Sequence, residues 1–255
     1  MSTEAHPLII EQRLGVLSLT LNRPQARNAI NWDLRRALDV AIRVNATASE
    51  VRVVVIRGAG KTFCAGGDIK QMGGGMADSL AKLDLAGSII TAIAELNKPV
   101  VGAIQGDAAG AGMSLALACD LVVADTSARF HPSFVHRGLA PDMSGSFWLS
   151  RQVGIHRAKE ILLSGRTVGV NEAAGLGLVS HVWEPATFEA QLDGYLGTLA
   201  AGPTAAYGAI KQLVNSSFES PLARQLDREA LSQLMLSGTP EHSDSVAAFT
   251  SRSQG

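Results

Sequence analysis

Two stretches, VRVVVIRG (residues 51–58) and KPVVGAIQG (98–106), are apolar at consecutive positions and end on glycine. A strand with one wet face alternates apolar and polar residues, whereas an unbroken β-branched run buries both faces. A chain with two such strands must cover its sheet on both sides. Helical periodicity supplies the cover. NWDLRRALDVAIRVNA (31–46) puts Leu34, Leu38 and Ile42 on one face, with Asn31 placed to cap it, and residues 78–96 repeat the spacing through Leu80, Leu83, Ile90 and Ile93. LIIEQRLGVLSLTL (8–21) reads as two short strands around a turn at Gly15, GMSLALACD (112–120) as a short apolar helix, and LVVAD (121–125) as the strand after it. Strand, helix, strand, helix, strand, helix, strand is the order of an α/β core.

After about residue 150 the pattern turns helical. HRAKEILLSG (156–165) reads as a helix stopped by Gly165, and NEAAGLGLV (171–179) as a short helix capped by Asn171. Long helical patterns then run to the end, broken at Pro203, Pro221 and Pro240. The expected organisation is an α/β core over 1–195 and a helical region over 196–255.

With 255 residues, 46% of them hydrophobic, the chain can bury a large core. A formal net charge of −1, with no run of like charge, argues against a nucleic-acid or anionic-membrane partner, since both call for a basic face. Cys64 and Cys119 lie far apart in apolar context and read as reduced, buried thiols of a cytoplasmic protein. No apolar stretch is long enough to span a membrane, and MSTEAHPLII lacks the basic-then-apolar pattern of a signal peptide.

Several catalytic motifs fail on inspection. A P-loop ending at Gly60-Lys61 would need glycine where Val55 stands, and Gly110-x-Gly112 lacks the third glycine of a dinucleotide fingerprint. His131 and His136 have no cysteine or acid at ligand spacing, so no metal is expected. Ser114 sits one residue short of a nucleophile elbow. What remains is a pair of glycine-rich segments, KTFCAGGDIKQM (61–72) and GDAAGAGMSLALACD (106–120), each just after one of the buried strands. Small residues there leave main-chain N–H groups free to face a ligand, and one donor from each loop makes an oxyanion hole.

Together these segments resemble the enoyl-CoA hydratase/isomerase (crotonase) superfamily. LNRPQARNAI (21–30) is similar to its first motif, FCAGGDIKQM (63–72) to its second and KPVVGAIQGDAAGAGMSLALACDL (98–121) to its third. GRTVGVNEAAGLGLVSHVWE (165–184) resembles its post-core helical segment. The resemblance implies a crotonase-type spiral of ββα units followed by helices, an acyl-CoA thioester as partner, no separate cofactor, and a homotrimer or dimer of trimers. Leu222, Leu226, Leu231, Leu234 and Leu236 would supply the apolar faces for that assembly. It further implies oxyanion donors at the Ala65 and Ala111 N–H groups. The acyl-CoA site would include Arg27, Ala29, Gly66, Gly67, Asp68, Ile69, Gly110, Ser114 and Phe134, with Phe147 and Trp148 as further pocket residues.

The chain departs from the hydratases of that family, whose two glutamates align with Ser114 and Phe134. It carries instead Asp142 in RGLAPDMSG (137–145), a lone acid with no lysine or arginine within four residues. That loop resembles phenylacetate-type enoyl-CoA isomerases, where an aspartate shifts protons, and an aspartate also stands here in the 4-chlorobenzoyl-CoA dehalogenases. Those rely on an upstream histidine, and this chain has none between His6 and His131. The expected function is double-bond isomerisation of an enoyl-CoA through an enolate, with Asp142 moving the proton. A serine hydrolase using Ser114, and an acyl-CoA binder without catalysis, stay open as rivals.

Overall fold

A computed structural model describes residues 6–73 and 75–252. The first five residues of the stretch read for a signal peptide, together with Gly74 and residues 253–255, lie outside the described residues. Strands β1 (Leu8–Arg13) and β2 (Val16–Leu21) form the expected antiparallel hairpin, turning through Leu14 at φ 50° and Gly15 at φ 79°. β3 (Val53–Gly58), β4 (Val100–Ile104), β6 (Leu121–Asp125) and β9 (His181–Trp183) add in parallel, so one sheet runs β1-β2-β3-β4-β6-β9. β5 (Asp107–Ala109), β7 (Arg129–His131) and β8 (Val168–Gly169) form a second, three-stranded sheet.

The unbroken apolar runs do bury both faces. Val54, Ile56, Val100 and Ile104 pack toward α1 (Trp32–Val40) and α2 (Met76–Glu95) in one core cluster. Val53, Val55, Val101 and Ala103 face the other way, against Phe188, Leu192, Leu196 and Ala200 of α7 (Phe188–Ala201). Each fully buried large side chain contributes roughly 1.5–3 kcal/mol, so this two-sided burial dominates stability. α1 opens as the sequence predicts, its Asn31 side chain accepting from Leu34 N–H at 2.9 Å.

The remaining helices are α3 (Ala111–Leu117), α4 (Gly145–Val153), α5 (Ile155–Ser164), α6 (Val170–Gly175), α8 (Thr204–Ser217), α9 (Leu222–Ser237) and α10 (Pro240–Arg252). The breaks at Pro203, Pro221 and Pro240 fall where the sequence puts them, and Gly165 ends α5 at φ 65°. One cap differs. α6 starts after Gly169, with Asn171 inside its first turn, because Val170 is drawn into the core.

α8 is anchored by a buried cation. Lys211 Nζ donates to the Ile93 carbonyl at 2.6 Å and pairs with Asp120 at 2.8 Å, while the same carboxylate oxygen accepts from Val100 N–H at 2.8 Å. One side chain thereby ties α8 to α2 and to the start of β4. Breaking a buried pair strands the partner charge and costs about 3–5 kcal/mol. Lys211→Met should lower unfolding stability by about 3 kcal/mol in urea titrations. A loss below ~1 kcal/mol would show that packing alone seats α8.

Candidate active site

The two glycine-rich segments meet. Cys64 N–H donates to Asp107 C=O at 3.1 Å and Ala109 N–H to Cys64 C=O at 2.8 Å, a short parallel bridge between the two strand exits. The first motif joins from the other side: Ile30 N–H reaches Gly66 C=O at 2.7 Å and Asp68 N–H reaches Ile30 C=O at 3.1 Å. Glycine is required twice in this contact. Gly66 has φ 93°, and a Cβ there would lie 2.7 Å from Ala109 O, while a Cβ on Gly112 would overlap the Cys64 carbonyl. Cys64 and Cys119 are buried and free, as expected, and burial pushes the Cys64 thiol up to about 12, which removes it as a nucleophile.

Behind this junction lies a cavity of about 300 Å³ whose wall includes Ala65, Gly66, Gly67, Gly110, Ala111, Phe134 and Asp142, together with Arg35, Arg137, Met72, Leu83 and Leu139. The structure corrects one donor. Ala65 N–H is spent on the Arg27 carbonyl at 2.9 Å, so it has no hydrogen to offer a ligand. The bridge to Ile30 uses the groups on either side of Gly67 and leaves the Gly67 N–H without an acceptor among the described residues. Ala111, at the start of α3, keeps its N–H unpaired, as the sequence suggests. The cavity wall therefore holds one unpaired donor from each loop, at Gly67 and Ala111.

Other expected residues divide. Gly110 (φ 49°) and Phe134 line the cavity side by side. Ser114 does not: it is 1% exposed, its Oγ has no partner, and it lies under Gly145, so close that a Cβ on that glycine would overlap it. Asp68 is occupied by an ion pair with Arg23 at 2.9 Å and by capping Lys70 N–H, and Ile69 is exposed outside the cavity. Ala29 is buried, its carbonyl taken by Arg23, and the Arg27 side chain is exposed beyond the wall. Phe147 and Trp148 pack edge to face on α4, away from this cavity; Trp148 lines a different one of about 460 Å³ beneath α8. That larger space holds the closed Lys211–Asp120 pair and neither Gly67 nor Ala111, so the smaller cavity is the candidate site.

Among the described residues Asp142 is the sole carboxylate in the wall. Its loop passes through Met143 and Ser144, both at positive φ (46° and 61°), before α4 begins. Its Oδ1 is buried without a partner. Burial pushes its pKa above the ordinary carboxylate value, opposed in part by the positive charge of Arg35 and by its own backbone N–H. Arg35 was not singled out in the sequence, although a signal was present: it stands three residues before Leu38 and seven before Ile42, a charge inside the apolar stripe of α1.

An α/β scaffold thus brings unpaired main-chain donors and one buried acid to a single cavity. A family model described as Enoyl-CoA hydratase/isomerase matches residues 11–254. The chain is 36% identical to "Probable enoyl-CoA hydratase" of Rhodobacter capsulatus, over 96% of this chain and 95% of that protein. It is 32% identical to 4-chlorobenzoyl coenzyme A dehalogenase-1 of Arthrobacter sp (98% and 93%) and 32% identical to 1,2-epoxyphenylacetyl-CoA isomerase of Escherichia coli (93% and 92%). A solved enoyl-CoA hydratase of Mycobacterium smegmatis superposes with TM-score 0.90 at 32% identity, covering 96% of each chain. The chain belongs to the enoyl-CoA hydratase/isomerase family, within the crotonase superfamily.

A raised carboxyl pKa in the folded state has a stability signature. Below the unfolded value of about 3.9 both states are protonated and the group is neutral in its effect; above the raised folded value the buried charge opposes folding. Asp142→Asn should therefore raise the melting temperature at pH 7, and the gain should fade as the pH is lowered toward 4. An equal or lower melting temperature at pH 7 would place Asp142 in a stabilising turn instead.

Proposed function

We propose that the chain is an enoyl-CoA isomerase that moves a double bond within an acyl-CoA thioester. The observation that carries this reading is the single carboxylate, Asp142, facing a cavity with unpaired N–H groups at Gly67 and Ala111. A thioester oxygen placed between those two groups gains negative charge as a carbon-bound proton leaves. Each such donor stabilises the enolate-like transition state by roughly 3–4 kcal/mol. Asp142 takes the proton from one carbon and returns it to another. Its raised pKa suits both halves, since a base nearer neutrality is also the better acid for the return step.

Hydration needs groups that activate and deliver a water. The glutamate positions of the hydratases hold Ser114, buried outside the cavity, and Phe134, which cannot ionise. The likeness to a dehalogenase keeps nucleophilic attack by Asp142 as a second reading, but no histidine lines the cavity. His131 Nε2 is engaged with Asp107 and His136 Nε2 with the Gly165 carbonyl. Ser114 has no base beside it, which speaks against the serine-hydrolase reading.

The test is a screen of 2-enoyl, 3-enoyl and aryl-CoA thioesters in deuterated water. Isomerisation with deuterium entering the acyl chain is expected, with Asp142→Asn losing at least about 100-fold in turnover while acyl-CoA binding persists. Exchange at the parent rate in that variant would remove Asp142 from the mechanism. Crotonyl-CoA hydration exceeding isomerisation, or chloride release from 4-chlorobenzoyl-CoA, would replace the reading.

We further propose that the chain self-associates, as a trimer or a pair of trimers. Supporting this, α9 buries none of its residues and leaves Leu222, Leu226, Leu231, Leu234 and Met235 exposed. Light scattering at micromolar concentration should report a multiple of three; a monomer mass would overturn it.

A further inference from the structure

We propose that Arg35 makes this cavity selective for acyl groups that carry a carboxylate of their own. The inference rests on the acyl-CoA reading above and specifies the substrate class within it.

Arg35 projects from α1 and is only 7% exposed, yet it lines the same cavity as the Gly67 and Ala111 donors. A guanidinium carries five N–H donors. Among the described residues none of them meets a protein acceptor: the backbone N–H of Arg35 is satisfied within α1, while the side chain makes neither a hydrogen bond nor an ion pair there, and its Nε is fully enclosed. The buried cation Lys211 shows the ordinary solution, closing on a carboxylate and a carbonyl. Removing an ion from water costs several kcal/mol unless geometry and hydrogen bonds offset it. Arg35 is thus a charge held ready for a partner the protein does not supply.

Asp142 is not that partner. The two groups sense each other's charge, but they form no ion pair, and Asp142 Oδ1 is itself unpartnered. The charges of the wall also leave room for another anion. Arg35 and Arg137 bring two positive charges and Asp142 one negative, a surplus of one. Arg137 is exposed at the wall and engaged with the Ser133 carbonyl at 3.2 Å, so the enclosed, unsatisfied charge is that of Arg35. A plain alkyl or phenyl group would leave it desolvated and unpaired. A carboxylate matches the planar fork with two parallel hydrogen bonds. At about 300 Å³ the cavity is at the small end of ligand pockets, which favours a short acyl group.

The test compares two thioesters of equal chain length, glutaryl-CoA and pentanoyl-CoA, titrated calorimetrically into the full-length protein. A charge-assisted bidentate contact predicts at least about tenfold tighter binding of glutaryl-CoA. Arg35→Met, close in volume and uncharged, should reverse that preference while leaving pentanoyl-CoA binding intact or improved. Arg35→Lys should keep part of the preference. Equal or weaker binding of glutaryl-CoA by the parent protein overturns the inference, and that comparison stands even if a variant fails to fold. Arg35→Met weakening both thioesters alike, or shifting only the pH profile of turnover, would make Arg35 a structural or Asp142-tuning group and overturn it too. Pentanoyl-CoA binding without the preference removes only the role of Arg35. Binding of neither thioester removes the acyl-CoA reading, and this inference with it.

Discussion

Two hydrogen bonds between Cys64 and the 107–109 strand hold the site together. They force the chain leaving β3 to run beside the chain leaving β4, and they fix where each loop's remaining N–H groups can point. Once Cys64 has used its own N–H and C=O in the bridge and Ala65 has given its N–H to Arg27, Gly67 supplies the unpaired donor in that loop's cavity wall. The same bridge seats the start of α3, whose neighbour Gly110 is pinned by its N–H to the His131 carbonyl at 2.8 Å. The second sheet does its part here. His131 links Asp107 and Thr167 through its two ring nitrogens, both at 2.9 Å, so the three short strands brace the Ala111 end of the cavity.

Around this braced main chain the side chains are poorly satisfied. Asp142 and Arg35 each keep a buried polar atom without a partner, and the Asp142 loop runs through two non-glycine residues at positive φ. Left-handed backbone, a buried carboxyl and a guanidinium without a hydrogen-bonded partner, only partly offset by the charge of Asp142, each oppose folding. The two-sided burial of the large sheet outweighs them. What separates this cavity from the larger one beneath α8 is the pair of strand-exit loops in its wall, since the larger one also carries unpartnered atoms at Trp148 Nε1 and Arg151 Nε.

The long elements were legible because their signals are long. The consecutive apolar runs of β3 and β4 integrate over many residues, and the Asn31 cap and the three prolines mark element ends with single-residue chemistry that little else can mimic. Strands of two or three residues, such as β5, β7, β8 and β9, carry too little pattern to be seen. The helix after Asp142 begins from a left-handed turn at Ser144 that no ordinary cap announces. The glycine-rich loops and the lone acid Asp142 were visible in the sequence itself, and resemblance gave them their expected roles. It could not tell Ala65 from Gly67, because the choice depends on which N–H the Arg27 carbonyl takes, a contact across 38 residues of chain. Arg35 was hidden for a different reason: a lone arginine on a helix is ordinarily read as solvated, and its enclosure is a tertiary fact.

Building donors from main chain has a genetic consequence. A codon change cannot delete an N–H except by writing proline, so most substitutions at Gly67 or Ala111 add bulk and leave the donor in place. The acid and the cation of the cavity are each one codon away from disappearing. Under the function proposed above, drift in this scaffold is lopsided: the capacity to hold negative charge would be inherited with the fold, while the identity of the reaction and of its substrate would rest on a few replaceable side chains. A descendant that traded Asp142 or Arg35 would keep the architecture and change its trade.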